Sequence, residues 1–516
     1  MRTEQKTNTK NSIGRATVFV ILLLIQLGFI AAVYFHWENK YGYLSEITIL
    51  IGFMVELGIF GRHMNAGIKM PWMIFIMIFP LAGIVMYLLM GTRNSSKKMR
   101  QRYEEVDSRL FPHLKQKEET LKSLSENVSD AYGIGYYLYN SCSYPIYDDT
   151  KVTFYDDSVP ALKEQIRCLK QAEKFIFMEY HAVEDVEFFQ EIKDILAEKA
   201  SQGVDVRFFY DDIGSIGFVD PSFIKRMEER GIKCRVFNPM APILNIFMNN
   251  RDHRKITVID GKVGFTGGFN LANEYFHITT PHGYWKDTGI KLEGSAVNNY
   301  TVLFLEMWNA IKRETLIDTD IKKFLIPHTG SNPEYGYVQP YGDSPLDEEH
   351  IGENVYLDII NQAEKYVYIC TPYLIITDEM TRAMTLAARK GVEVKIITPG
   401  IPDKKTVYAM TRSYYRHLVL KGVRIFEYTP GFSHAKMCLS DDRIATVGTM
   451  NFDYRSFYLH FENGCYMVNV PCIKDIKADF EKMFSQSKEV ELKWIESRGI
   501  RTRIWQCILR LFAPML

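Results

Sequence analysis

Two short polar segments repeat the same order of residue types and could act together in one reaction. Each contains a histidine, a lysine two residues later and an aspartate five residues after the lysine. A Gly-Gly or Gly-Thr pair and an asparagine follow at the same distance in both segments. The residues are His253, Lys255, Asp260, Gly267, Gly268 and Asn270 in the first segment, and His434, Lys436, Asp441, Gly448, Thr449 and Asn451 in the second.

The spacing of these residues indicates a binding site for an anion. The segment around Ile256–Ile259 has the composition of a buried strand, and residues two apart on a strand point to the same face. A buried lysine beside a histidine needs a partner, because desolvating its charge is costly. If the two segments face each other, both histidines and both lysines line one pocket, with Asn270 and Asn451 as further donors. Such a pocket predicts binding of a phosphate group.

The presence of two histidines suggests that each has a different role in phosphoryl transfer. One would attack phosphorus to form a phosphohistidine, while the other protonates the leaving oxygen and later deprotonates the incoming hydroxyl. We expect Asp260 and Asp441 to orient the imidazoles or to neutralise nearby charge. A metal site on His253 and His434 is not favoured, because neither has a second histidine or a carboxylate at ligand spacing. We therefore expect neither a metal nor a cofactor.

An internal repeat surrounds the two polar segments. QAEKFIFMEY begins at Gln171 and QAEKYVYICTPY at Gln362, and each reads as a helix end followed by a strand. Gly203 and Gly391 stand at the expected ends of the following helices, and the later glycines Gly231 and Gly422 have the same offset of 191 residues as the two glutamines. The repeat predicts an α/β fold of two similar mixed β-sheet domains with flanking helices, related by a pseudo-twofold axis.

Apolar segments at both ends of the chain indicate a membrane. Ala16–Trp37 and Met70–Thr92 are long enough to span a bilayer, and Tyr41–Gly61 is a weaker third candidate because it contains two glutamates. A cleaved signal peptide is the alternative for the first segment. At the C-terminus, apolar residues at helical spacing alternate with arginines from Trp494 onward. This pattern is typical of a helix in the membrane interface, or of a tail docked on the protein itself.

The bulk composition argues against two other classes of protein. The 62 basic and 62 acidic residues give a formal net charge of zero, whereas nucleic-acid-binding proteins usually carry a basic excess. The eight cysteines form no CxxC pair, so neither a zinc site nor a disulfide framework is indicated.

The paired segments HRKITVID…GGFN and HAKMCLSD…GTMN resemble the two signature motifs of the phospholipase D superfamily. The wider sequence resembles bacterial cardiolipin synthases from about Tyr41 onward, including YWKDTGIKLEGSAV and TPYLIITDEM. The apolar segment Ala16–Trp37 is additional to the two spans usual in that family. Thr449 stands where many superfamily members have serine.

The resemblance implies transfer of a phosphatidyl group from one phosphatidylglycerol to another, giving cardiolipin and glycerol. By analogy His253 would be the nucleophile and His434 the general acid and base, with the reverse assignment open. Lys255, Lys436, Asn270 and Asn451 would hold the phosphate, and Glu274 or Glu462 could position the acceptor hydroxyl. The implied partners are phosphatidylglycerol and other anionic lipids, the implied location is the cell membrane as a multi-pass protein, and no nucleic acid is expected.

The alternatives are a lipid hydrolase, a transferase with another acceptor alcohol, a membrane nuclease and an inactive membrane scaffold. The oligomeric state and the side of the membrane that faces the catalytic domains stay open. The expected domains are a membrane anchor at 1–92, a helical connection at 93–139, phospholipase D-like domains at 140–345 and 346–490, and an amphipathic tail at 491–516.

Overall fold

The structure is a computed structural model of the 516-residue chain. It describes scattered positions between residues 21 and 36, then 42–91, 97–239, 250–311 and most of 318–513. Most of the apolar segment Ala16–Trp37 therefore lies outside the described residues.

Three apolar helices form the first continuously described part of the chain: α1 (Gly42–Phe60), α2 (Ala66–Ile78) and α3 (Pro80–Met86). The predicted segment Met70–Thr92 is divided, because Phe79 leaves helical geometry and Pro80 begins a new helix. Gly83 lets α3 pack tightly on α2, since a Cβ there would lie 2.6 Å from the Cα of Ile76. Among the described residues, no helix combines the length and apolar character needed to cross a membrane.

Three amphipathic helices connect this part to the sheets. They are α4 (Lys97–Leu110), α5 (Glu118–Asn127) and α6 (Ser129–Asn140). Tyr103, Val106 and Leu110 lie on one face of α4 at helical spacing and are buried in the main hydrophobic core.

The first α/β unit contains a seven-stranded mixed sheet in the order β1-β9-β7-β6-β2-β3-β4. Its strands are β1 (Lys151–Tyr155), β2 (Phe175–Tyr180), β3 (Asp205–Asp211), β4 (Lys233–Phe237), β6 (Lys255–Ile259), β7 (Val263–Gly267) and β9 (Gly289–Glu293). Two short strands, β5 (Arg251–Asp252) and β8 (Tyr284–Lys286), lie outside this sheet. The helices are α7 (Ser158–Lys170), α8 (Glu187–Ser201), α9 (Phe223–Glu229) and α10 (Val297–Ile311).

The second unit repeats this order of strands as β10-β19-β17-β16-β11-β13-β14, with β20 added at one edge. Its elements are β10 (Tyr337–Asp343), α11 (Ile351–Gln362), β11 (Tyr366–Cys370), β12 (Leu374–Ile375), α12 (Asp378–Arg389), β13 (Glu393–Pro399), α13 (Lys405–Leu420), β14 (Arg424–Tyr428), β15 (Gly431–Ser433), β16 (Met437–Ser440), β17 (Ile444–Gly448), β18 (Phe452–Asp453), α14 (Tyr454–Tyr458), β19 (His460–Val468), α15 (Ile473–Ser485) and β20 (Ser487–Glu489).

The matching strand orders confirm the mixed α/β fold with two similar units. Gly203 and Gly391 follow the ends of α8 and α12 and have φ angles of +89° and +99°, as expected for helix C-termini. One boundary differs from the expected division at residue 345. Strand β10 lies before that residue, yet it pairs with β19 in the second sheet.

Two short parallel pairings join the units across their interface. Strand β5 of the first unit pairs with β19 of the second, and β15 of the second pairs with β8 of the first. Both pairings lie next to a polar segment, since His253 follows β5 and His434 follows β15. The interface between the units therefore determines the backbone around both histidines.

The C-terminal segment forms α16 (Leu492–Glu496) and α17 (Ile500–Leu511). One face of α17 is docked, because Gln506 and Leu509 are buried and the Gln506 side chain donates to the carbonyl of Ala409 in α13. The opposite face exposes Ile500, Ile504, Trp505, Ile508 and Leu511. The tail thus combines a docked face with an apolar face that is exposed among the described residues.

Candidate active site

The inter-unit pairings place the two His-Lys pairs in equivalent positions. The backbone N–H of His253 donates to the carbonyl of Phe461, and that of His434 donates to the carbonyl of Lys286. In each pair, the lysine ammonium donates to the backbone carbonyl of the histidine two residues earlier. These bonds hold each lysine beside its histidine, although His253, His434 and Lys436 lie between strands and not on the strands that the spacing predicted.

All four of these side chains meet in one buried region. Burial lowers the pKa of His253 well below its usual range, and Lys255, Lys436 and His434 act on it in the same direction. The pKa of His434 falls to about 4 for the same reason, with Lys436 as the next cause. The mutual effects indicate that the two His-Lys pairs lie close together, and they favour the neutral form of both imidazoles.

Burial also changes the two lysines. It lowers the pKa of Lys255 to about 7, partly offset by Glu462, and the pKa of Lys436 to about 8, partly offset by Asp287. The two lysine side chains share this buried region, and each acts on the same pair of carboxylates. A phosphate between the two lysines would stabilise their charged forms.

The imidazole of each site histidine lies next to a carboxylate of the opposite unit. His253 Nδ1 lies 2.9 Å from both oxygens of Glu462 on β19. His434 Nδ1 lies 2.7 Å from Asp287, which directly follows β8. With Nδ1 bound to a carboxylate, Nε2 of each ring is available for chemistry.

Hydroxyl groups hold the first of these carboxylates. Thr449 and Ser456 both donate to Glu462, and their bonds fix its orientation toward His253. Asp287 accepts from the backbone N–H of Thr288 at 2.9 Å. The hydroxyl of Thr449 thus supports the site indirectly, through Glu462.

The two motif aspartates do not orient the imidazoles, and that expectation was wrong. Asp260 and Asp441 occupy left-handed turn positions with φ angles of +53° and +52°. Asp260 accepts three backbone N–H bonds from residues 173–175 at 2.7–2.9 Å, and Asp441 accepts three from residues 364–366 at 2.7–2.9 Å. They fix the turn after the motif strand to the start of the neighbouring strand.

The sequence did not indicate a role for Asp287, and it predicted a different role for Glu462. Asp287 lies in the quoted segment YWKDTG, but nothing in its spacing relates it to His434. Glu462 was considered for the acceptor hydroxyl, whereas its carboxylate is bound by His253, Thr449 and Ser456. Glu274, the other candidate, has a pKa raised by burial and then by Glu184.

The asparagines occupy equivalent positions but have different partners. Asn270 accepts from the backbone N–H of Ala182 at 3.1 Å and donates to the hydroxyl of Tyr275 at 2.8 Å. The side-chain oxygen of Asn451 is buried with no hydrogen-bond partner among the described residues. Asn270 therefore supports a neighbouring aromatic ring.

One set of potential metal ligands includes a site histidine. Ligand atoms of His253, His460 and Glu462 all lie within 4.8 Å of one another. Sequence spacing did not indicate this set, because the tertiary structure brings His460 and Glu462 to His253. All three side chains already bind protein groups, since His460 Nε2 accepts from Arg455 at 3.2 Å and Glu462 pairs with His253. The expectation of no metal stays a prediction.

Two equivalent α/β units with paired His-Lys sites at their interface define a phospholipase D-like protein. The sequence matches the family described as "Cardiolipin synthase, PLD-like domain" over residues 165–308 and 356–484. The chain belongs to this family.

Relatives match nearly the whole chain. A cardiolipin synthase of Alkalihalophilus pseudofirmus is 30% identical over 98% of this chain and 100% of its own length. A cardiolipin synthase of Clostridium perfringens is 33% identical over 86% of this chain and 93% of its own. An uncharacterized protein of Streptococcus mutans is 41% identical over 86% and 96%. The solved phosphatidylserine synthase of Haemophilus influenzae shares the fold, with a TM-score of 0.55 at 17% identity over 71% of this chain and 93% of its own.

Proposed function

We propose that this protein is a cardiolipin synthase that transfers a phosphatidyl group between two phosphatidylglycerol molecules. The observation that carries the proposal is the convergence of two buried His-Lys pairs, each histidine bound to a carboxylate of the opposite unit. Its membership of the family and the names of its relatives supply the substrate class.

The reaction proceeds in two displacements at phosphorus. Asp287 and the charge of a bound phosphate favour the imidazolium form of His434, so that its Nε2 carries a proton when substrate is bound. Nε2 of His253 attacks the phosphodiester, and glycerol leaves with that proton from His434. The hydroxyl of a second phosphatidylglycerol then gives its proton to His434 and attacks the phosphohistidine, which releases His253 and forms cardiolipin. One phosphodiester is broken and one is formed, so the reaction needs no nucleotide.

Lys255 and Lys436 stabilise the charge on the phosphate oxygens throughout, and Asn270 and Asn451 are further donors in this proposal. The lipid substrate and the apolar helices α1 to α3 support a membrane location. The exposed apolar face of α17 supports contact with the lipid surface. The partners are then phosphatidylglycerol and other anionic lipids.

The experiment is to give the purified protein vesicles of phosphatidylglycerol alone and to analyse the lipids and the free glycerol. We expect cardiolipin and glycerol in equal amounts from the wild type, and neither from His253→Ala or His434→Ala. Phosphatidic acid as the main product would contradict the proposal in favour of a hydrolase. Unchanged turnover in either histidine variant would contradict the assignment of the site.

A further inference from the structure

The two histidines have different surroundings despite their equivalent positions. Three aromatic rings surround His434: the ring centroids of Tyr275 and Trp285 lie 5.4 Å from it, and that of Phe432 lies 5.8 Å from it. These three residues, called the aromatic wall below, also contact one another, with Trp285 4.9 Å from Tyr275 and 4.7 Å from Phe432. Strand pairing holds Trp285 directly beside Phe432.

The other histidine has polar neighbours instead. The rings of His181 and His460 lie 5.0 Å and 5.6 Å from His253. His460 is the counterpart of Trp285, because each stands two residues before the carboxylate that binds the site histidine. The side of the pocket around His434 is therefore aromatic, and the side around His253 is polar. A reaction in which the two histidines have different roles can use this difference.

The aromatic wall contains an unpaired donor. Trp285 is buried, yet its Nε1–H has no hydrogen-bond partner among the described residues. Leaving a buried donor unpaired costs free energy, so such groups are usually satisfied by water or a ligand. The hydroxyl of Tyr275 accepts a bond from Asn270, which leaves its own proton to be donated. Two donors and three apolar ring faces thus lie beside His434.

We propose that the aromatic wall is the subsite for the acceptor alcohol, the glycerol headgroup of an anionic phospholipid. This inference rests on the proposed function and adds to it the residues that favour an alcohol over water. The carbons of the headgroup pack on the ring faces, and one of its oxygens accepts from Trp285 Nε1. The rings also exclude water from the phosphohistidine, which would otherwise be hydrolysed.

The location of this subsite also fixes the roles of the two histidines. In two in-line displacements, the leaving glycerol and the incoming alcohol occupy the same side of phosphorus, opposite the nucleophile. An alcohol subsite beside His434 therefore makes His434 the group that gives and takes the proton. His253 then forms and breaks the bond to phosphorus.

The test is the ratio of cardiolipin to phosphatidic acid formed from phosphatidylglycerol vesicles, which reports how the phosphohistidine divides between alcohol and water. Trp285→Phe keeps a ring but removes the donor, and we expect the ratio to fall about three- to tenfold. Trp285→His, which copies the residue on the other side, should lower it further. Trp308→Phe is the matched control within α10, and its ratio should equal that of the wild type.

A variant on the opposite side decides between the two sides of the pocket. His460→Phe should leave the ratio unchanged even if it slows total turnover. A fall in the ratio for His460→Phe with none for Trp285→Phe would overturn the proposal. An equal ratio in all the variants would overturn it too, whereas a wild type that makes no cardiolipin would contradict only the proposed function.

Trapping the intermediate tests the assigned roles independently. A phosphatidyl p-nitrophenyl ester, whose leaving group needs no proton from His434, is added to His434→Asn and to His253→Asn. The reactions are stopped in alkaline detergent, and the peptides are analysed by mass spectrometry. We expect a phosphatidyl adduct on the peptide that contains His253 in the first variant and no adduct on His434 in the second. An adduct on His434 would place the acceptor on the other side of the pocket and overturn the proposal.

Discussion

Each site histidine depends on a carboxylate that lies in the other unit. Glu462 and Asp287 accept from the Nδ1–H of His253 and His434, which leaves Nε2 unprotonated whenever the ring is neutral. That tautomer suits the nucleophile and the base that deprotonates the acceptor. The carboxylates also stabilise the imidazolium that forms whenever a histidine carries the extra proton.

Changing either carboxylate to its amide should slow the reaction strongly. We expect Glu462→Gln and Asp287→Asn to lower kcat by roughly 10²- to 10⁴-fold, because an amide does not hold the same tautomer or stabilise the imidazolium. The measurement is cardiolipin formation at saturating phosphatidylglycerol. Glu489→Gln, at an exposed position on β20, is the control and should keep wild-type turnover. A loss of less than threefold in both variants would contradict the assigned partners.

At the scale of elements, the motif combines two functions in one short stretch. Its histidine and lysine face the site, while its aspartate fixes the turn between the motif strand and the next. This applies to both copies, since Asp260 and Asp441 bind equivalent backbone amides. The long-range pairing of these turns holds β6 and β16 in register with β2 and β11.

Removing one of these turn aspartates should reduce stability more than catalysis. Asp441→Ala leaves three backbone N–H groups without an acceptor and puts alanine in a left-handed conformation, so we expect a loss of about 1–3 kcal/mol in unfolding free energy. Urea denaturation measures this loss, and kcat of the folded variant should stay within a few fold. Glu481→Ala, exposed on α15, should change stability by less than about 0.5 kcal/mol. A large fall in kcat with unchanged stability would instead indicate a catalytic role.

At the scale of the whole molecule, a buried ionic network joins α4 to both units behind His253. Arg254 is 1% exposed and binds Glu179 at 2.7 Å and Glu306 at 3.1 Å. Phe461 of the second unit packs 5.7 Å from its guanidinium and stacks on Tyr103 of α4. The equivalent residue in the second motif is the buried Ala435. The helix that follows the apolar N-terminal part is therefore packed directly behind the first motif.

A proton held in this network makes stability depend on pH. Burial and then Glu306 raise the pKa of Asp107 to about 9, whereas an unfolded aspartate titrates near 4. The stability linked to this proton is fully present below the unfolded pKa and is lost as pH rises through about 9. Asp107→Asn keeps a neutral side chain at every pH.

We therefore expect the wild type to lose more unfolding free energy than Asp107→Asn between about pH 7 and about pH 10. Urea denaturation of both proteins at the two pH values measures the difference. Glu306, which also has a raised pKa, shares a hydrogen bond with Asp107, so the difference reports the proton held by this pair of carboxyls. Equal losses in the two proteins would show that the pair holds no proton at pH 7 that depends on Asp107.

The sequence alone determined the parts that depend on local pattern. The sequence predicted the proximity of His253 and Lys255, the repeat from Gln171 to Gln362 and the helix-ending Gly203 and Gly391, and the structure has all three. These features follow from strand and helix periodicity and from the backbone freedom of glycine, which act over a few residues. Because the motif occurs twice at equivalent points of the repeat, the sequence also predicted that both copies line one shared pocket.

Only the tertiary structure decided which groups bind these residues. Glu462 is 209 residues from His253, and Asp287 is 147 residues from His434, so no spacing relates them. Asp260 and Asp441 turn away from the site because a left-handed turn directs them to backbone amides. The contrast between Trp285 and His460 also emerges only when the two units meet. The partner of each site residue depends on which distant strand lies next to it. The packing of whole sheets determines which strand that is.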